Sequence, residues 1–256
     1  LEVELEPEVR LCPIHNVPTA SSTFAGREFW SCPVCSAAEE SARKQREIQR
    51  EDALQREKLA QISKRLESLA IGVRFRSCSW DDYQAKTLPM QHVLSTAKEF
   101  ADNFWSHSAT GTNMMFLGST GTGKNMIAAL ICMDVVQSGH TAVHTTAMKL
   151  VRRIKETMSF DSKITEQQAI DSFTAPSLLV IDEIGVQFCS PTEKLFLTEV
   201  INDRVEARRP TILISNLTVP EMEEVVGRRV VDRFYEGESK FLVFDWPSFR
   251  RGRSSV

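Results

Sequence analysis

Asn113-Met-Met-Phe-Leu-Gly-Ser-Thr-Gly-Thr-Gly-Lys-Asn125 is the stretch that decides the fold. Residues 113–117 are an apolar run of strand length, and a second apolar run after Lys124 has helical character. Between them lies G-x-x-x-x-G-K, a phosphate-binding loop when it joins a strand to a helix. Gly118, Gly121 and Gly123 let the backbone curl, so that the N–H groups of Ser119, Thr120 and Thr122 and their neighbours point at phosphate oxygens. The helix N-terminus adds a favourable dipole, and Lys124 brings a full positive charge to the β- and γ-phosphates. ATP or ADP is the expected ligand. Position 125 is Asn, where Ser or Thr usually offers Mg²⁺ a hydroxyl. An amide oxygen is also a hard ligand, so nucleotide binding is expected to survive and turnover to be slow.

Further along, Ser177-Leu-Leu-Val-Ile-Asp182-Glu183 is an apolar strand ending in two acids. Asp182 is suited to hold Mg²⁺ through water, and Glu183 to polarise the attacking water as general base. The next strand, Thr211-Ile-Leu-Ile-Ser215-Asn216, ends in a polar residue that can orient water against the γ-phosphate. Strands at 113–117, 141–145, 178–181, 211–214 and 240–244 alternate with helices near 90–106, 124–138, 146–157 and 192–208. That pattern implies an α/β fold with a five-stranded parallel sheet covered on both faces. It reads as a P-loop NTPase of the additional-strand AAA+ type, with too few residues after the last strand for a C-terminal lid. Arg229 and Arg233 share one helical face, where an arginine finger for a neighbouring subunit would sit; Arg233 is favoured and Arg229 is a second contact.

The rest of the chain divides by composition. Residues 1–36 are rich in Pro, Cys and Ser. Here Cys12-Pro-Ile-His15 and Cys32-Pro-Val-Cys35 pair two ligands three apart on two turns, the spacing of a closed tetrahedral Zn²⁺ site. Residues 37–70 read as a charged helical arm without Gly or Pro up to 69, either a solvated linker or a docking element. Residues 71–256 form the ATPase core. A formal net charge of −3 does not advertise nucleic acid, and no apolar run approaches a membrane span. Six cysteines in 256 residues do not suggest a disulfide scaffold, and the acidic start lacks the features of a secretory signal, so a cytoplasmic protein is expected. Cys78, Cys132 and Cys189 are expected to be inert.

The residues just quoted resemble the DnaC-type replicative helicase loaders of bacteria and phages. The likeness rests on 118–125, on Leu178-Leu-Val-Ile-Asp-Glu-Ile-Gly-Val-Gln187 and on Arg229-Val-Val-Asp-Arg233, and Asn125 is itself a feature of these loaders. Cys78-Ser-Trp-Asp-Asp-Tyr83 and Phe244-Asp-Trp-Pro-Ser-Phe249 are similar to segments flanking their core. The resemblance implies an ATP-dependent protein that grips the hexameric replicative helicase and delivers it to single-stranded DNA, self-associating as a ring or spiral. It also implies that residues 1–70 dock the helicase, and the zinc module beside a DnaC-like core is similar to a phage or prophage version. Lys155, Lys163 and the loop 188–192 are the DNA-contact candidates. Two other functions stay open: an IstB-like transposition helper acting on duplex DNA, and an adaptor that binds ATP without turnover.

Overall fold

The computed structural model describes residues 9–185, 190–236 and 239–249. Cys189, Phe188 of the DNA-contact loop and the arginines 250, 251 and 253 of the tail lie outside them. The chain divides into two compact units, Leu1–Gln61 and Ile62–Val256. In the first, β1 (Ala20–Phe24) and β2 (Arg27–Ser31) make an antiparallel hairpin, which the sequence reading left irregular. Helix α1 (Pro33–Ser68) follows, with proline at its first position, where the missing N–H costs nothing. Among the described residues of this unit only Cys12 and Cys32 are buried. These residues form no apolar core to fold on.

The expected arm reaches further than the first unit does. Leu69 is buried in the second unit's core, and Ile62 and Leu66 pack against it, so the last turns of α1 belong to the second unit. Short 3₁₀ turns at Val73–Phe75 and Trp80–Asp82 lead into α2 (Leu88–Asp102) and α3 (Phe104–Thr110), a pair broken at Asn103 where one helix was expected. Then come β3 (Met114–Gly118), α4 (Lys124–Gln137), β4 (Ala142–Thr146), α5 (Ala147–Lys155), α6 (Glu166–Thr174) and β5 (Leu178–Ile184). The remaining elements are α7 (Pro191–Glu206), β6 (Thr211–Ser215), α8 (Val219–Val226), α9 (Arg228–Glu236) and β7 (Lys240–Phe244). Of these, α6 and α8 went unanticipated in the sequence.

The five strands β3 to β7 pair in parallel in the order β4-β5-β6-β3-β7. Strand β6 is the additional strand: it separates the phosphate-loop strand β3 from the acid strand β5. Period-two alternation sends Met114 and Phe116 to the face covered by α2 and α4, and Met115 and Leu117 to the face covered by α5 to α9. The carboxyl ends of all five strands lie on one edge, where ligands bind in such sheets.

The opposite edge is tied by one cation. Arg204 of α7 is fully buried, and among the described residues no carboxylate pairs with it. Its guanidinium donates to Thr211 Oγ1 at 2.9 Å and to the carbonyls of Phe173, Pro176 and Pro210 at 2.9, 2.8 and 2.6 Å. It therefore joins the end of α6 to the starts of β5 and β6. Burial pulls Arg204 down to about 9, which still leaves it charged at neutral pH. Arg204→Met strands those carbonyls in the interior, at about 1–3 kcal/mol for each left unsatisfied. We expect a loss of about 3 kcal/mol or more in chemical denaturation, with Arg204→Lys recovering only part. A loss below about 1 kcal/mol would show that water replaces the guanidinium.

Candidate functional site

The loop 118–125 runs from the end of β3 to the first turn of α4, as its sequence demands. Gly123 caps α4 at φ 97°, a left-handed conformation, and a Cβ there would lie 2.6 Å from the Tyr83 ring. Lys124 is buried, and its ammonium donates to the carbonyls of Gly118 and Ser119 at 2.7 Å each. The Thr122 hydroxyl closes the curl on the Ser119 carbonyl at 2.9 Å.

Three groups hold the loop from behind. Trp246 Nε1 donates to the Thr122 carbonyl at 3.0 Å, and the Tyr83 hydroxyl approaches the same oxygen at 3.5 Å. The Phe249 N–H donates to the Gly121 carbonyl at 2.9 Å. With the Gly121 and Thr122 carbonyls engaged on the outside, the N–H groups of this part of the loop are left for the inside. Trp80 in turn anchors the upstream segment to α4 through Asp134, at 2.7 Å. The 78–83 and 244–249 segments, similar to loader sequences but without a role in the sequence reading, are thus the loop's supports.

Both acids face the same cleft as the loop, which a regular strand cannot arrange, because neighbouring side chains point to opposite faces. The register between β5 and β6 shifts from Ile181↔Leu213 to Ile184↔Ser215, so Asp182 and Glu183 together oppose the single residue Ile214. This is a β-bulge. Glu183 carries it in the left-handed region at φ 58°, a conformation that costs a non-glycine residue about 1–2 kcal/mol. Asp182 is buried and Glu183 exposed. The Asp182 carboxylate accepts the Glu183 N–H at 2.7 Å and the Asn125 amide. Burial is the main cause that raises Asp182 above the usual carboxylate range; the Glu183 charge adds to it, while the two hydrogen bonds and Lys124 oppose it.

The cleft has a volume of about 680 Å³ and brings together Lys124, Asn125, Asp182, Glu183 and Asn216. Its far wall is Arg74, Phe75, Ser77, Cys78 and Asp82, with the Arg74 guanidinium 4.5 Å from the Phe75 ring centre. The sequence reading missed this wall, whose only signal was a run of arginines and aromatics just before the core. Such a cleft can take a nucleotide triphosphate tail on one side and an aromatic base on the other. It can also hold a divalent cation between the Asp182 carboxylate and the Asn125 amide, both oxygen-donor groups suited to Mg²⁺.

The two arginines on α9 have different surroundings. Arg229 is exposed, whereas Arg233 is only 25% exposed and both its Nη atoms lie 3.2 Å from Glu206 Oε1. The placement expected for a finger thus holds for Arg229, while Glu206 at the end of α7 pairs with Arg233. On α5, Lys149, Arg152, Arg153 and Lys155 share the exposed face opposite the buried Leu150, Val151 and Ile154. Lys155 is paired with Glu193 at 2.8 Å, Lys163 is exposed, and Phe160 between them is fully exposed.

In the first unit, Cys12, His15, Cys32 and Cys35 bring their ligand atoms within 4.8 Å of one another. His15 Nδ1 lies 3.8, 3.7 and 3.3 Å from the sulfurs of Cys12, Cys32 and Cys35. The edges of a tetrahedron around Zn²⁺ with thiolate and imidazole ligands are about 3.5–3.8 Å long, so the donor set fits. The His15 N–H, followed by that of Ile14, lowers Cys12 to about 6, favouring the thiolate. Burial, with the neighbouring sulfurs of Cys12 and Cys32, pushes Cys35 up to about 11, a cost that a central cation would remove.

Comparison with known proteins follows the same lines. A family model described as IstB-like ATP binding protein matches residues 34–233. The replicative helicase loader DnaC of Escherichia coli (strain K12) is 32% identical over 203 residues, covering 78% of this chain and 81% of its own. The uncharacterized protein YdaV of the same strain is 27% identical over 246 residues, 96% of this chain and 92% of its own, so that likeness reaches into the first unit. The crystal structure of the DnaC helicase loader superposes with a TM-score of 0.59 at 22% identity, over 67% of this chain and 99% of that one, a likeness of fold.

The electrostatics of Asp182 yield a stability test. A carboxyl group raised by folding binds its proton more tightly folded than unfolded, so above that range its charge favours unfolding. Asp182→Asn removes the buried charge and keeps an acceptor for the Glu183 N–H. We expect the nucleotide-free variant to melt at a higher temperature than the parent at pH 7 and to lose Mg²⁺-dependent hydrolysis. A lower melting midpoint would mean that the charge is stabilising in place.

Proposed function

The chain belongs to the IstB-like ATP-binding protein family, and from that premise we propose that it is an ATP-dependent loader of the replicative DNA helicase. The observation that carries this reading is the convergence of Lys124, Asn125, Asp182, Glu183 and Asn216 on one cleft, in a chain so similar to a named helicase loader. In it the amides of 118–124 and the Lys124 ammonium bind the β- and γ-phosphates of ATP. Asp182 and Asn125 would hold Mg²⁺, whose charge would offset that of the phosphates. Glu183 takes the proton of the attacking water, and Asn216 orients that water against the γ-phosphate. The reaction is hydrolysis to ADP and phosphate. It is slow without partners, because the Asn125 amide and Asp182 are engaged with each other and must open for the metal.

Self-association in a ring or spiral brings α9 of one subunit to the cleft of the next. There Arg233 is the finger, released from Glu206, and the exposed Arg229 is the second contact. The basic face of α5, with Lys155 and Lys163, tracks the backbone of single-stranded DNA, aided by Phe160 as a stacking surface. Residues 1–36 are a module folded on Zn²⁺, since Cys12, His15, Cys32 and Cys35 close a tetrahedral set and the unit lacks an apolar core. With the arm that follows, in the region 37–70, this module docks the hexameric helicase. The working compartment is the cytoplasm.

The family description favours one alternative, a transposition helper, which would prefer duplex to single-stranded DNA. Transfer of a hexameric helicase to protein-coated single-stranded DNA, followed by helicase unwinding, tests the proposal. The full chain should promote transfer, and Glu183→Gln should bind ATP and helicase without completing the cycle. Protein stripped of metal by a chelator should keep ATP binding and lose helicase capture. Equal transfer with and without the protein, or equal capture after chelation, would contradict the corresponding half of the reading.

A further inference from the structure

Ser215 is buried at the end of β6, and its hydroxyl donates to the Ile184 carbonyl at 2.6 Å while accepting the Leu217 N–H at 3.1 Å. Ile184 is the residue at which β5 returns to register after the bulge, and Ser215 is its partner. The hydroxyl therefore closes the bulge on the side where Glu183 sits in its left-handed conformation. Leu217, held by the same hydroxyl, also packs against Gly185 at φ 95°, where a Cβ would lie 2.2 Å from Leu217 Cδ1. One oxygen thus fixes both residues that follow Glu183 along the chain and the turn that carries Asn216. Ser215 lines the cleft, but its hydroxyl proton is committed to Ile184 and a lone pair to the Leu217 N–H, so it has no proton to offer a phosphate and its role is to hold these groups.

We propose that Ser215 is a positioning residue for ATP hydrolysis: its hydroxyl locks the β5 bulge so that Glu183 and Asn216 face the same water. This rests on Glu183 being the general base. Without the lock, the strained Glu183 backbone can relax toward an extended conformation, and its carboxylate turns toward the other face of the sheet. The phosphate loop does not depend on this hydroxyl, so nucleotide binding persists. Ser215 affects the rate of the chemical step and leaves affinity alone.

Threonine and valine have the same shape, and only threonine keeps the hydroxyl. In single-turnover hydrolysis by the full chain, Ser215→Thr should stay within about threefold of the parent. Ser215→Val should fall by about 10- to 100-fold, the loss typical of a displaced catalytic group. Both should keep the parent's affinity for ATP. Ser215→Ala adds no volume and should fall as the valine variant does, which keeps the test sound if a methyl group crowds the site. Equal rates for the threonine and valine variants would overturn the inference, as would an alanine variant at the parent's rate. So would a valine or alanine variant whose loss tracks lost ATP binding. Glu183→Gln, run beside them, separates the two levels: turnover surviving there overturns the assignment of the base and the inference with it. A dead Glu183→Gln with an unaffected alanine variant overturns the inference alone.

Discussion

Two consecutive carboxylates must face one cleft, and a β-strand alternates its side chains. The bulge at Asp182 and Glu183 resolves that conflict by placing two residues of β5 against Ile214 alone. The left-handed Glu183 backbone is the local cost, and it is maintained because β5 is buried and paired on both sides, by β4 and β6. Most of the site's chemistry follows from it. Asp182 stays buried beside Lys124 and Asn125, where it can serve a cation, while Glu183 is exposed, where it can meet water.

The phosphate loop is held by comparable means. Its N–H groups can face a ligand only if its carbonyls are satisfied elsewhere: those of Gly121 and Thr122 meet Trp246, Tyr83 and the Phe249 backbone on the outside, and those of Gly118 and Ser119 meet Lys124 and Thr122. The chain segments before and after the sheet are therefore parts of the nucleotide site. At the far edge, Arg204 ties α6, β5 and β6 through carbonyl oxygens and the Thr211 hydroxyl, so the sheet is fixed there, among the described residues, without a charge partner that could compete with the acids of the cleft. The first unit is organised on another principle. Among its described residues the two that are buried are cysteines of the candidate metal site, and a bound cation would supply the cohesion that hydrophobic burial supplies in the second unit.

Much of this was legible in the sequence, and the failures have physical causes. The strand–loop–helix at 113–125 and the strand ending at Asp182 and Glu183 are local patterns, and the sheet brings them together as alternating strands and helices imply. Cys12, His15, Cys32 and Cys35 cluster for the same reason: each pair is set by a short turn. The bulge was not legible, because it depends on register with β6, a partner some thirty residues away. The hairpin of β1 and β2 was missed because its strands are short and exposed throughout except at Trp30. Arg233 reads from sequence as a free cation, and only the packing of α7 against α9 shows Glu206 beside it. The wall of Arg74 and Phe75 is set by tertiary packing that no local period announces.

A structure of the full chain bound to Mg²⁺ and a non-hydrolysable ATP analogue tests the central claim most directly. The account predicts the γ-phosphate against Lys124, with the metal beside Asp182 and Asn125. A single water should lie between the γ-phosphate and a Glu183 that keeps its left-handed backbone. A nucleotide bound elsewhere, or a Glu183 side chain turned to the opposite face of β5 in that complex, would contradict it.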